Sequence, residues 1–150
     1  MKKILIINGP NLNLLGIRKP EVYGSRTLAE LSLELSRYGA THSCEIEHFQ
    51  TNHEGEIMDK LHSTIPKADY VGCIVNAGAL THYSYAIRDA IEAISVPCIE
   101  VHLSEIASRE PFRSVSVLKD VCQAQISGKG VDGYKEAIDI LLTRNQRSDL

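Results

Sequence analysis

Two pairs of residues in this sequence are suited to moving protons: Arg18 with Tyr23, and Glu100 with His102. A phenol ordinarily keeps its proton, with a reference pKa of about 10. It becomes a base at neutral pH only where a neighbouring positive charge favours the phenolate. Arg18 precedes Tyr23 on the same stretch and is a source of that charge; the plainer role for Tyr23 is a half-buried loop anchor. Glu100 and His102 are two apart on a segment that reads as a strand, so their side chains point the same way. There Glu100 sets the tautomer of His102 and supports its charged form, making a general acid. The alternative is a hydrogen-bonded histidine at a strand end. Arg109 and Arg113 would share a face in a helical turn and clamp a carboxylate. Pro111 stands between them, however, and Glu110 offers one of them an ordinary surface partner. No serine or cysteine sits beside a general base as an activated nucleophile. Glu100, His102 and His82 lack any standard metal-ligand spacing, so no metal is expected.

The elements that must hold these residues follow from the hydrophobic pattern. Ile4 to Ile7 is a short β-branched run that stops at Asn8-Gly9-Pro10, as a buried strand ending in a turn does. A long loop follows, carrying Asn11, Asn13, Arg18 and Tyr23; loops of that length in a compact domain are usually functional. Thr27 to Glu30 forms a capping box for a helix with Leu28, Leu31 and Leu35, ended by Gly39. Cys44 to Gln50 reads as the second strand, with Ile46 and Phe49 on opposite faces. Thr51 to Glu54 offers a second capping box, opening a helix that Pro66 ends. Tyr70 to Val75 is the third strand, Ser84 to Ile94 a helix, and Cys98 to Leu103 the fourth strand. Leu118 to Ile126 contains the fifth, and a last helix carries Ala137, Ile138, Leu141 and Leu142. Five strands alternating with helices require a parallel sheet covered on both faces. The expected fold is α/β: a flavodoxin-like three-layer sandwich with strand order 2-1-3-4-5. Ligands in such sheets bind beyond the carboxyl ends of the strands, where the order reverses. Strands one, three and four feed Asn8 to Tyr23, Asn76 to His82 and His102 to Arg113, so the unusual polar residues point to one cleft.

A net charge of −3 without a run of basic residues argues against nonspecific nucleic-acid binding. No apolar segment approaches the ~20 residues of a membrane span, and no targeting segment is evident, so no membrane association and a cytoplasmic location are expected. Residues 1–150 suit one catalytic domain, with a polar, frayed tail over 144–150. Cys44, Cys73, Cys98 and Cys122 are widely spaced and read as free core thiols. Gly128 to Gly133 matches G-x-G-x-x-G, but only one helix follows, so these glycines read as turn and packing residues rather than a dinucleotide site.

Six stretches together resemble the type II dehydroquinases (type II 3-dehydroquinate dehydratases): Asn8-Gly9-Pro10-Asn11-Leu12-Asn13; Arg18 with Pro20 to Gly24; Gln50 to Glu56; Asn76-Ala77-Gly78 with Thr81-His82; Ala86 to Ala90; and Ile99 to Ser104. Arg109 to Arg113 continues the likeness, which spans roughly residues 4–142. The resemblance implies anti elimination of water from 3-dehydroquinate to 3-dehydroshikimate, through an enolate, in the shikimate pathway of aromatic amino-acid biosynthesis. It implies Tyr23 as base, Arg18 as the group that lowers the pKa of Tyr23, and Asn11 as holder of a water that stabilises the enolate. His102 would be the acid, oriented by Glu100. Asn76, His82, Arg113 and the backbone at Leu103 and Ser104 would bind substrate. Asp89 would reach in from a neighbouring subunit of a homododecamer built from trimers. No cofactor is implied. The chain departs from the family pattern at Glu105 to Ser108 and at Val115 to Val117, which flank Arg113. Two other readings compete: a flavin- or nucleotide-binding module, disfavoured because Pro10 removes an amide donor from the first loop, and a noncatalytic oligomeric scaffold.

Overall fold

The computed structural model describes residues 1–148, with the side chains of Val22, Tyr23, Ala107 and Ser148 outside the described set. The strands are β1 (Lys2–Asn8), β2 (Cys44–Gln50), β3 (Tyr70–Asn76), β4 (Cys98–His102) and β5 (Ala124–Ser127). The helices are α1 (Pro20–Tyr23), α2 (Leu28–Thr41), α3 (Glu54–His62), α4 (Tyr85–Ala93) and α5 (Val131–Ser148). All strand pairings are parallel, and the order is β2-β1-β3-β4-β5, the flavodoxin-like arrangement.

The alternation within β1 explains why the sheet is covered on both faces. Ile4 and Ile6 pack with Ile74, Ile99 and Val101 against α2 and α5, through Leu31, Leu35, Ile138 and Leu141. Leu5 and Ile7 pack with Cys73, Val75 and Cys98 against α3 and α4, through Ile57, Leu61, Ile87 and Ile91. A strand with apolar side chains on both faces must lie at the centre of the sheet. Each fully buried Ile or Leu contributes about 1.5–3 kcal/mol. All four cysteines are free, and Cys44, Cys73 and Cys98 are buried.

Several local expectations need correction. Gly39 does not end its helix: α2 continues to Thr41. A Cβ on Gly39 would lie 2.5 Å from Ile46 Cγ1 and 2.8 Å from the Cys44 carbonyl oxygen, so this glycine serves close packing on β2. The second capping box is displaced. Thr51 Oγ1 accepts from the His53 amide at 3.1 Å and donates to Glu56, and α3 begins one residue past His53. That helix stops at His62, before Pro66, because Ser63 and Thr64 donate their hydroxyls back to the Lys60 and Leu61 carbonyls. The long first loop contains a helical turn, α1, started by Pro20 at its first position. Residues 144–148 continue α5, where a frayed tail was expected, and residues 149–150 lie outside the described set. Gly128 and Gly130 have φ of +77° and +57°, as tight-turn residues do.

The loops after β1 and β3 touch through glycines. A Cβ on Gly9 would sit 2.7 Å from the Ala77 carbonyl oxygen, and one on Gly78 would sit 2.9 Å from the Pro10 carbonyl oxygen. Neither backbone can yield without moving a cavity wall. Gly9→Ala is therefore expected to destabilise the fold by about 1–3 kcal/mol, read as a lower urea midpoint. An unchanged midpoint would mean that the two loops part at no cost.

Candidate active site

The carboxyl ends of β1, β3 and β4 open onto a cavity of about 210 Å³. Asn11, Arg18, Asn76, His82, His102, Leu103, Ser104, Arg109 and Arg113 line it, with Pro10, Leu12, Leu14, Leu15 and Ile106 supplying apolar wall. Three guanidinium groups and two histidines around so small a space suit an anionic ligand carrying other polar groups. Among the described residues, no group of three His, Cys, Asp or Glu side chains is arranged to hold a metal.

His102 is buried, and its Nε2 pairs with Oε2 of Glu100, which is fully buried. The carboxylate only accepts, so Nε2 carries the proton and Nδ1 is the nitrogen left for chemistry. Burial alone would push the Glu100 carboxyl up; the bonds from His102, Ser116 and Gln125 outweigh it and hold the group below its ordinary value. Ser116 Oγ lies 2.7 Å from Oε2 and 2.9 Å from Oε1, and Gln125 Nε2 lies 3.2 Å from Oε2. The Leu118 amide donates to Ser116 Oγ at 3.2 Å, which fixes the hydroxyl. Glu100 is thus a buried carboxylate with a full set of donors, and the imidazole it grips is fixed in place.

His82 donates from Nδ1 to the Val115 carbonyl oxygen at 2.6 Å, since a carbonyl can only accept. Its Nε2 is then available to a ligand. Its ring meets Phe112 edge to face at 5.8 Å, and the Arg113 guanidinium lies 4.8 Å from the same Phe112 ring. Arg113 Nε pairs with Glu110, and Arg113 still lines the cavity. The departure at Val115 to Val117 therefore carries two of the site's supports: the Val115 carbonyl under His82 and the Ser116 hydroxyl on Glu100.

Asn11 has φ of +71°, a left-handed conformation that asparagine tolerates better than most residues. Its amide donates to Asn52 Oδ1 at 3.0 Å, and Gln50 Nε2 donates both to Asn52 Oδ1 and to the Gly9 carbonyl oxygen, each at 3.2 Å. The end of β2 thereby holds the first loop in place. Asn76 Oδ1 accepts from the Gly78 amide at 3.2 Å.

Tyr23 ends α1, and its side chain lies outside the described residues. Asp89 is exposed on α4 and is not part of this chain's cavity wall. Ser116, Gln125 and Asn52 were not singled out from the sequence as supports. Gln125 carried a readable signal: it is a polar residue inside a strand, and it stands in register with Glu100. Ser116 carried none, because it lies in an irregular segment whose path the hydrophobic pattern does not specify.

The chain is similar over nearly its whole length to known proteins. A protein of Bacillus cereus named 3-dehydroquinate dehydratase is 52% identical over 144 residues, covering 96% of this chain and 97% of its own. The crystal structure of a type II dehydroquinase from Butyrivibrio crossotus superposes with a TM-score of 0.91 at 47% identity, over 93% of this chain and 97% of that one. A type II dehydroquinase from Propionibacterium acnes gives 0.91 at 39% identity, over 95% and 97%. The family model described as dehydroquinase class II matches residues 2–142, and the chain belongs to that family.

Proposed function

We propose that this protein is a 3-dehydroquinate dehydratase that eliminates water in the anti sense, through an enolate, as a step of the shikimate pathway. The observation that carries the reading is His102, gripped by the buried Glu100 in the wall of a cavity lined by Arg18, Arg109 and Arg113. A substrate that is an anion, a ketone and a polyol meets each kind of group there. The Tyr23 phenolate, favoured by Arg18, removes the proton next to the ketone. The negative charge passes to the ketone oxygen, where a water held by Asn11 stabilises the enolate. Collapse of the enolate expels the hydroxyl, and His102 supplies its proton so that water leaves. Asn76, His82, Arg113 and the backbone of Leu103 and Ser104 hold the carboxylate and hydroxyls. The segment from Arg18 to Tyr23 is flanked by Gly16 and Gly24, with φ of +87° and +84°, which suits a flap that closes over substrate.

The active form in this reading is a dodecamer of trimers acting in the cytoplasm, with Asp89 facing a neighbour's cavity. Tyr83 and Tyr85 are 61% and 67% exposed beside Asp89, and Phe112 and Val115 are 57% and 55% exposed, a surface that supports burial between subunits. No helix among the described residues is long and apolar enough to cross a membrane.

The test is one preparation, sized by light scattering and assayed for the conjugated enone formed from 3-dehydroquinate, with chelator present and no flavin added. Product formation by an assembly of twelve chains is expected. A folded assembly with no turnover would favour the scaffold, and turnover that required flavin would favour the cofactor-binding module.

A further inference from the structure

We propose that Tyr134 is a positioning residue that fixes which atom of the Asn76 amide faces the substrate. The starting point is the period-two alternation of the strands. Asn8 and Asn76 are register partners at the ends of β1 and β3. They continue the face that carries Ile4, Ile6 and Ile74 toward α5. Both are buried, at 2% and 4% exposure, so their amides need partners within the protein. A fully buried tyrosine of α5 supplies the partner for both. Tyr134 Oη donates to Asn8 Oδ1 at 2.6 Å and accepts from Asn76 Nδ2 at 3.0 Å.

The direction of each bond is constrained. A phenol has one proton, and giving it to Asn8 leaves its oxygen as the acceptor for Asn76. Burial pushes the Tyr134 phenol up, with the bond from Asn76 opposing this in part, so the group stays a neutral hydroxyl. Asn76 Oδ1 is held by the Gly78 amide. One N–H of Asn76 is committed to Tyr134 and its oxygen to Gly78, so the second N–H is what the residue presents to the cavity it lines. A flipped amide would set Nδ2 against the Gly78 amide and Oδ1 against the Tyr134 oxygen, losing both bonds. Asn76 is thereby fixed as a donor, selecting an acceptor oxygen on the ligand, a carboxylate or a carbonyl. The tyrosine that does this lies in the first turns of α5, just after the turn at Gly128 and Gly130.

This inference rests on the dehydratase reading, and turnover by the unaltered enzyme tests that reading separately. The experiment is steady-state kinetics of Tyr134→Phe with 3-dehydroquinate, alone and in an Asn76→Ala background. KM is expected to rise about fivefold, the size of one lost hydrogen bond, with kcat within about twofold, because a ground-state contact is weakened. In the Asn76→Ala background, Tyr134→Phe is expected to leave KM within about twofold, because the residue it aims is gone. An unchanged KM in the single variant, or the same rise in both backgrounds, would overturn the proposal. A loss of thermal stability with both kinetic constants intact would do so as well. If Tyr134→Phe does not fold, Asn8→Ala, which keeps the ring and frees the phenol proton, is judged by the same two criteria.

Discussion

His102→Ala is expected to lower kcat for 3-dehydroquinate by about 10²–10⁴-fold, the usual worth of a positioned general acid. Hydroxide is a poor leaving group, and His102 lines the cavity and is held by a buried carboxylate. The variant also leaves Glu100, at 0% exposure, with only Ser116 and Gln125 as donors. Stability should therefore fall by about 1–3 kcal/mol, and the kinetics must be read where the variant is folded. Free imidazole, supplied to occupy the space vacated beside Glu100, should restore part of the rate. The role assigned to His102 fails if kcat stays within tenfold of the native enzyme.

Tyr23→Phe is expected to remove turnover by about 10³-fold or more while leaving fold and assembly intact, because only one oxygen is lost. The two variants block different steps, so isotope exchange separates them. In the proposed mechanism, proton removal next to the ketone comes first. In deuterated solvent, His102→Ala should still exchange that proton, visible by NMR of recovered substrate, because the enolate forms and reverts. Tyr23→Phe should not exchange it. Exchange at the native rate in Tyr23→Phe would place the base elsewhere, with Arg18 then acting on the substrate alone.

The departure of hydrophobic periodicity from rule at particular residues marks where sequence reading stops. Ile4 to Ile7 and the run from Tyr70 to Val75 were legible as central strands because apolar side chains on both faces leave no other place for them. Helix starts at Thr27 and Ser84 were legible because a side-chain oxygen meets the amide three residues on, at 3.2 Å and 3.1 Å. Helix ends were not: Gly39 marks close packing on Ile46, and the stop after His62 comes from hydroxyls bonding back to carbonyls. The placement of the cleft was legible because topology decides it, and the pairing of Glu100 with His102 because strand geometry does.

By itself, the sequence determined the sheet, its order and the strand ends at which the cavity opens. Those follow from local periodicity and from rules of chain connection. Only the tertiary structure decided what holds those residues. Ser116 and Gln125 reach Glu100 from 16 and 25 positions away, and Tyr134 reaches Asn8 from 126. It also decided that Arg113 pairs with Glu110, and that Asp89 is exposed and outside the lining of its own chain's cavity. The reason is physical: periodicity encodes which side chains are buried, but a buried polar group is satisfied by whichever donor or acceptor the packed layers bring within 3 Å or so, and that depends on the whole fold.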